Sequence, residues 1–201
     1  MTISKAVTAA ALALTAMGAH AELVTNGSFE ANVQAAGTFG IYNNLTGWTG
    51  NTNIELRNNR AGAAQDGVNF VELDTTSNMS MKQTITGNGL YTLSFWYSAR
   101  EGRPAGDNGL GFSFGDLLGN VLMGTAGAAS GNVWQQYTGL VNLSGASDLI
   151  FTAMGTSNSY GASIDNVSVT AAVPEPETYA MLLAGLGLMG TIIRRRKANQ
   201  A

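Results

Sequence analysis

Residues 90–99 alternate between apolar and largely polar side chains, and this period of two constrains the fold of the chain most strongly. Because successive side chains of a β-strand point to opposite faces, the alternation predicts a strand with one face in a core. The predicted core face carries Tyr91, Leu93, Phe95 and Tyr97, and the opposite face carries Thr92, Ser94, Trp96 and Ser98.

The rest of the central region repeats this pattern in shorter pieces. Runs rich in β-branched and aromatic residues are separated by Gly, Asn, Ser and Asp, without sustained helical periodicity. Many short strands with no helices between them predict an all-β domain, an antiparallel β-sandwich of the jelly-roll type. Residues 119–131, rich in Gly and Ala, are expected to form a loop. Strands are predicted near 22–30, 53–58, 69–75, 80–86, 90–99, 110–115, 134–143, 148–155 and 162–170.

The composition excludes several classes of function. The chain has no Cys, so disulfides, thiolate metal sites and Cys nucleophiles are excluded. Between residues 22 and 173 there are five basic and eleven acidic side chains, a net charge of −6. Nucleic-acid binding is not expected, because contacts to phosphates need a basic face.

The N-terminus has the pattern of a signal peptide. Lys5 precedes an apolar run from Ala6 to Met17, and the sequence Ala19-His20-Ala21 is a small-x-small cleavage site. The prediction is a signal peptide over 1–21 and a mature chain that begins at Glu22. Its removal takes away His20, the single histidine, so Ser-His-Asp triads and His-ligated zinc are excluded.

The C-terminus predicts a short membrane helix. Tyr179 to Ile193 is an uncharged run of 15 residues, followed directly by Arg194, Arg195, Arg196 and Lys197. As a helix the run would be about 22 Å long, against a hydrocarbon core of about 30 Å. The cluster of positive charges places the C-terminus in the cytoplasm. The predicted segment is 174–201, which follows the β-domain of 22–173.

This C-terminal arrangement resembles the PEP-CTERM sorting signal. The motif Pro174-Glu175-Pro176 is followed by the apolar run and by Arg194, Arg195 and Arg196. The resemblance implies export in a Gram-negative, exopolysaccharide-producing bacterium, with transient anchoring in the inner membrane. It also implies cleavage near the Pro-Glu-Pro motif by an exosortase, which would leave the domain at the cell surface or in the extracellular matrix.

The central region resembles the galactose-binding-like β-sandwiches, which include many carbohydrate-binding modules. The resemblance lies in the opening sequence LVTNGSFE, in Gly47-Trp48, and in the closing sequence YGASIDNVSV. It implies a structural Ca²⁺ held by Glu30 and Asp165, since carboxylate oxygens suit this ion. The alternative is that these two side chains only accept hydrogen bonds from the backbone of turns. Asn166 stands where the family often has a second Asp, which lowers the charge of the expected site.

Candidate ligand-binding residues follow from the chemistry of sugar recognition. A sugar ring stacks on an aromatic face, and its hydroxyl groups bind planar polar side chains. Trp96 lies on the polar face of its strand and is expected to be partly exposed, whereas Trp48 is expected in the core. The predicted ligand-binding set is Trp96, Trp134, Arg57, Arg100, Glu72 and Asp74, with Arg103 and residues 58–60 as further polar candidates.

Three functions remain open at this point. Carbohydrate binding, with an exopolysaccharide as partner, is favoured, and a structural or adhesive matrix protein without a sugar site is the alternative. Glu72 and Asp74 would lie about 6–7 Å apart on one strand, close to the spacing of glycosidase carboxylates. Hydrolases usually take these carboxylates from different elements, so a hydrolase is less favoured and no catalytic residue is assigned.

Overall fold

The computed structural model describes residues 21–172 together with residues 185, 186 and 189. Its regular secondary structure is almost entirely β, which confirms the all-β prediction. Within residues 21–172 the one short helix is a 3-10 turn at Ala105–Asp107. The strands are β1 Phe39–Leu45, β2 Trp48–Asn58, β3 Asn69–Glu72, β4 Ser80–Ser98, β5 Leu110–Phe114, β6 Leu117–Val121, β7 Gln135–Ala153 and β8 Ser163–Ala171.

The strands form one antiparallel sheet that closes on itself. Their order is β1-β2-β3-β8-β4-β7-β5-β6, and β2 also pairs with β4 through Thr49↔Lys82 and Gly50↔Met81. Strands β2, β3, β8 and β4 therefore make a closed ring of hydrogen-bonded neighbours. The two separate sheets expected of a sandwich are joined, because β4 pairs with β2 near its start and with β8 near its end.

Two long strands replace four predicted short ones. The sequence analysis predicted breaks after 86 and after 143, where Gly and Asn are frequent. In the structure β4 and β7 run through these points and pair along Gly87↔Gly145. Gly89 and Gly145 adopt φ values of +110° and +120°, which only glycine takes without strain. These glycines thus lie within continuous strands and do not end them.

Residues 22–30 were predicted as a strand, and this prediction is wrong. The segment forms turns, with Asn26 and Phe29 at positive φ. Two isolated backbone hydrogen bonds join it to β8: the Leu23 N–H donates to Val169 O, and the Val167 N–H donates to Gly27 O. Strands β1 and β6 were not predicted. The latter occupies part of the expected loop 119–131.

The core confirms the alternation in the middle of residues 90–99, whereas Tyr91 and Tyr97 are only partly buried and Ser98, expected on the polar face, is fully buried. Leu93 and Phe95 are fully buried, whereas Trp96 is half-buried on the opposite face. The bulge near Trp96 adds a residue to β8, and the pairing of β4 with β7 stays regular, so the parity of β4 is preserved. Trp48 is buried as expected, and its indole N–H donates to Asn26 O at 3.1 Å.

The predicted terminal segments lie mostly outside the described residues. This holds for the signal peptide at 1–21, apart from residue 21, and for the Pro-Glu-Pro motif and the Arg cluster. Within 174–201, residues 185, 186 and 189 are helical. Among the described residues there is no helix with the length and apolar character needed to cross a bilayer.

Candidate functional site

A pocket of about 380 Å³ lies beside the edge strand β1. It gathers residues from β1, from β2, from the loop after β2, from the β3–β4 and β7–β8 connections, and from the loop after β4. We call it the arginine pocket. Its lining residues are Phe39, Ile41, Glu55, Arg57, Arg60, Thr75, Arg100, Ser159 and Tyr160.

Strand alternation explains why charged residues of β2 face this pocket. Ile54 and Leu56 point into the core, so Glu55 and Arg57 point the other way. The register places Ile41 opposite Glu55 and Phe39 opposite Arg57 on β1. On the other side of β2, Glu55 pairs with Glu72 of β3. The apolar side chains of the edge strand thus border a buried row of charges.

Arg57 connects the two carboxylates of this row. Its Nε lies 2.6 Å from Glu55 Oε1 and its Nη2 lies 2.6 Å from Glu72 Oε2. Arg100 Nη1 reaches the same Glu72 oxygen at 3.0 Å, and the Gly161 N–H donates to Glu72 Oε1 at 2.8 Å. Arg57 is 3% exposed, and its Nη1 has no hydrogen-bond partner among the described residues. One buried guanidinium nitrogen therefore lacks an acceptor within the described residues.

Glu72 has a strongly shifted pKa. Its side chain is fully buried, and this burial raises the pKa from 4.5 to about 8, while the Arg57 charge opposes the shift. The carboxyl group lies behind the pocket wall and does not line the pocket. Its role in the geometry is to hold Arg57 and Arg100 side by side.

Tyr160 forms the opposite rim of the pocket. The Arg103 guanidinium lies 3.9 Å from the centre of its ring, and that of Arg100 lies 5.6 Å away. Arg103 is itself held by Asp107, with Nη2 at 2.7 Å from Oδ2. The ring remains 38% exposed, so part of its surface is open to a ligand.

The structure places some of the predicted ligand-binding residues at the arginine pocket and others away from it. Arg57 and Arg100 line the arginine pocket, and Glu72 supports both of them. Asp74 is buried below the pocket, where its Oδ2 accepts a hydrogen bond from the Asn158 N–H at 2.9 Å. Asp74 therefore fixes the loop that carries Ser159 and Tyr160.

The two tryptophans of the predicted set lie outside the arginine pocket. Trp134 is half-buried, its indole N–H donates to Ala63 O at 3.0 Å, and its ring meets Phe70 edge-on at 5.7 Å. It thus fastens the loop between β2 and β3. Trp96 lies in the middle of the sheet, opposite Gln136 on β7 and Asp165 on β8.

Sequence reasoning missed most of the apolar side of the pocket. Phe39 and Ile41 were overlooked because β1 was not recognised, although the two residues stand at strand spacing. Tyr160 lies in a loop whose path no local pattern indicates. Arg60 belonged to the polar run 58–60, but nothing in the sequence placed it beside Arg100.

The two predicted calcium ligands both contact one loop, residues 65–69. Glu30 Oε1 accepts hydrogen bonds from the Val68 and Asn69 N–H groups, and Asp165 Oδ2 accepts them from Gln65 and Asp66. Burial raises the pKa of Asp165 to about 7, against these hydrogen bonds. Two carboxylates at one loop fit the oxygen chemistry of Ca²⁺. Within the described part of the chain, no three Asp, Glu, His or Cys side chains cluster closely enough to hold a metal.

Two other concave surfaces are lined by fewer charged side chains. A pocket of about 330 Å³ where β2, β4 and β7 meet has Lys82 as its one charged lining residue. A groove of about 550 Å³ along β5 and β6 is lined by residues such as Phe112, Leu118 and Met154 and by no charged side chain. Convergent polar groups beside an apolar wall distinguish the arginine pocket as the candidate site.

Residues 172–197 match the PEP-CTERM protein-sorting motif. This confirms the resemblance seen in Pro174-Glu175-Pro176 and in the Arg cluster that includes Arg194, Arg195 and Arg196. No curated protein matches the chain.

Solved structures similar to this chain include proteins that act on or bind carbohydrate. An arabinose-bound GH51 α-L-arabinofuranosidase matches 75% of this chain at 14% identity, with a TM-score of 0.50. The match spans 26% of that enzyme's length. At this identity the likeness shows a shared fold alone.

Two carbohydrate-binding modules are also similar. A CBM35 from Paenibacillus barcinonensis is 20% identical and has a TM-score of 0.41; the match covers 68% of this chain and 100% of that one. A family 61 module in complex with β-1,4-galactotriose is 12% identical and has a TM-score of 0.43, with coverage of 76% and 99%.

Proposed function

We propose that the β-domain binds carbohydrate and that the arginine pocket is its binding site. The observation that carries the proposal is the lining of this pocket, where exposed apolar side chains lie beside the guanidinium groups of Arg57 and Arg100, which ion pairs hold in place. A sugar has a surface to match each of these, since its ring has an apolar C–H face and its rim carries hydroxyl groups that accept hydrogen bonds.

The exposed side chains at the pocket suit the apolar face of a sugar. Phe39, Ile41 and Tyr160 are 50%, 48% and 38% exposed. Large apolar side chains clustered at a concave surface are typical of binding sites. Across the pocket, Arg57 and Arg100 are held in place by Glu72, so they lose little conformational freedom when hydroxyl groups bind.

The charged groups of the pocket suit binding better than catalysis. Glu55 already pairs with Arg57 at 2.6 Å, and Glu72 is buried behind the wall. Glycoside hydrolysis needs one carboxyl group that gives a proton and a second that attacks or activates water. We therefore propose a binding module without hydrolytic activity.

The sorting motif supports a proposal about destination. A protein with this signal is expected to be exported, anchored transiently in the inner membrane by the apolar run, and cleaved near the Pro-Glu-Pro motif by an exosortase. The released domain would then act at the cell surface or in the extracellular matrix of a Gram-negative bacterium. Exopolysaccharide is the partner that we propose for it there.

A glycan array probed with the full chain tests the binding site. We expect binding to at least one glycan, and we expect Phe39→Ala and Tyr160→Ala to weaken it about tenfold or more, since stacked aromatic rings dominate such contacts. The matched control is Leu118→Ala, because Leu118 is 86% exposed on the other edge strand, β6.

Trp96→Ala separates this site from the one predicted from sequence. If Trp96→Ala abolishes glycan binding and Tyr160→Ala leaves it intact, the arginine pocket is the wrong site. If no glycan binds the wild-type chain, the binding function itself is refuted and a structural matrix role takes its place.

A further inference from the structure

The basic residues of the β-domain are concentrated at the arginine pocket. Between residues 22 and 172 the sequence holds five Lys and Arg side chains among eleven Asp and Glu side chains. Three of the five line the pocket, and a fourth, Arg103, stacks on its rim residue Tyr160. The fifth, Lys82, lies elsewhere and pairs with Asp148. Two pairs of arginines that are distant from each other in the sequence, Arg57 with Arg60 and Arg100 with Arg103, thus lie at one pocket of an acidic domain.

Acidic partners inside the protein do not account for all of these cations. Arg60 is exposed and makes no hydrogen bond or ion pair within the described residues. Arg57 Nη1 is buried and also lacks a partner there. A buried guanidinium nitrogen without an acceptor is costly, because it has lost its water and gained nothing in return. A ligand oxygen at this position would remove that cost.

The charge of the pocket lining favours an anionic ligand. Three guanidinium groups line the pocket, and two carboxylates pair with them: Glu55 with Arg57, and Glu72 with Arg57 and Arg100. One guanidinium charge, that of Arg60, is therefore in excess. Neutral hydroxyl groups would satisfy hydrogen bonds but would leave this excess positive charge uncompensated. Oxyanions accept charge-assisted hydrogen bonds from guanidinium groups, often two in parallel, and these are stronger than hydrogen bonds between neutral groups.

We propose that the ligand is an acidic saccharide, whose oxyanion binds Arg57 Nη1 and Arg60 while its ring packs on Tyr160 and Phe39. This inference rests on the proposed function and narrows it to one class of glycan. The oxyanion has two chemical sources, the carboxylate of a uronic acid and a sulfate ester.

Calorimetric titration of the full chain with matched polymers tests the inference. The probes are sodium polygalacturonate, sodium alginate, dextran sulfate, and the two polyuronates after chemical reduction of their carboxylates to alcohols. We expect at least one charged polymer to bind, with affinity at least about tenfold above its neutral counterpart, unsulfated dextran or the reduced polyuronate. The comparison between polyuronates and dextran sulfate identifies which oxyanion the pocket takes.

Arg60→Gln is the decisive variant, because Arg60 is exposed and its loss breaks no hydrogen bond or ion pair within the described residues. We expect it to weaken binding of the charged polymer about tenfold and to leave the melting temperature unchanged. Lys82→Gln removes the same charge outside the pocket and is expected to bind like the wild type. Equal weakening by both variants would mean non-specific attraction and would overturn the inference.

Two further outcomes separate the inference from the function on which it rests. Equal binding of charged and reduced polymers, lost in Tyr160→Ala, would overturn the acidic ligand and keep the carbohydrate-binding function. Binding to no charged or neutral polymer here, and to no glycan on the array, would overturn both.

Discussion

Arg57 shows how one buried residue organises the candidate site. It bridges Glu55 and Glu72, and Glu72 in turn holds Arg100, so two strands, β2 and β3, and the loop after β4 meet at one ionic cluster. A buried charge pair of this kind is weak support for stability, because desolvation offsets much of the attraction. Its clearest consequence is positional, since it fixes two guanidinium groups at the pocket wall.

The Glu72 carboxyl group makes the stability of the domain depend on pH. Burial raises its pKa from 4.5 to about 8, so between these values the folded protein holds a proton that the unfolded chain releases. The stabilisation of the folded state by this proton is fully present below pH 4.5 and is lost as the pH rises through about 8. As the pH rises across this range, chemical denaturation should show that the free energy of unfolding of the wild type falls relative to that of Glu72→Gln.

The control for this measurement is Asp148→Asn. Hydrogen bonds from Lys82 and Thr84 lower the pKa of Asp148 from 3.8, so its contribution changes below the window tested. Asp165 titrates in the wild type and in both variants, so its effect cancels. If the free energy of unfolding depends on pH in the same way in the wild type and in Glu72→Gln, the raised pKa of Glu72 is contradicted.

At the scale of elements, the loop between β2 and β3 depends on residues far away in the sequence. Glu30 and Asp165 accept hydrogen bonds from its backbone N–H groups, and the Trp134 indole donates to its Ala63 carbonyl. The first and last parts of the domain therefore meet at one loop. Since Arg60 stands near the start of this loop, these contacts also bear on the arginine pocket.

Calcium binding at Glu30 and Asp165 stays a prediction, and thermal melting tests it. An ion that binds the folded state alone stabilises it, by about 2.7 kcal/mol at one hundred times its dissociation constant. Added Ca²⁺ should raise the melting temperature and a chelator should lower it again. Asp165→Asn should abolish this response, whereas Asp148→Asn should retain it. An unchanged wild-type melting curve would refute the site.

At the scale of the whole molecule, the chain combines a β-domain with a sorting segment of different chemistry. Mass spectrometry of the protein recovered from the cell surface should show an N-terminus at Glu22 and no Arg194–Lys197. Replacing Pro174 and Pro176 by alanine should leave the uncut chain in the membrane fraction. Pro104→Ala changes the remaining proline of the chain and serves as the control. A surface species that keeps the Arg cluster would contradict processing.

The sequence by itself determined the features that depend on local periodicity and composition. Residues 90–99 predicted the buried Leu93 and Phe95 and the half-buried Trp96, because side-chain alternation follows from the geometry of a single strand. The Pro-Glu-Pro motif and the Arg cluster predicted the sorting signal without any folded structure. The burial of Trp48 was expected from its place in a family-like Gly-Trp pair.

Only the tertiary structure decided where strands bend, how they pair and which distant residues meet. Gly87 and Gly89 are typical of turns in a sequence, yet pairing with β7 carries β4 straight through them. Arg57, Arg60, Arg100 and Tyr160 come from one strand and three separate loops, and no local pattern encodes their distances. The physical reason is that ionic clusters and pockets depend on long-range packing, whereas strand alternation depends on the backbone alone.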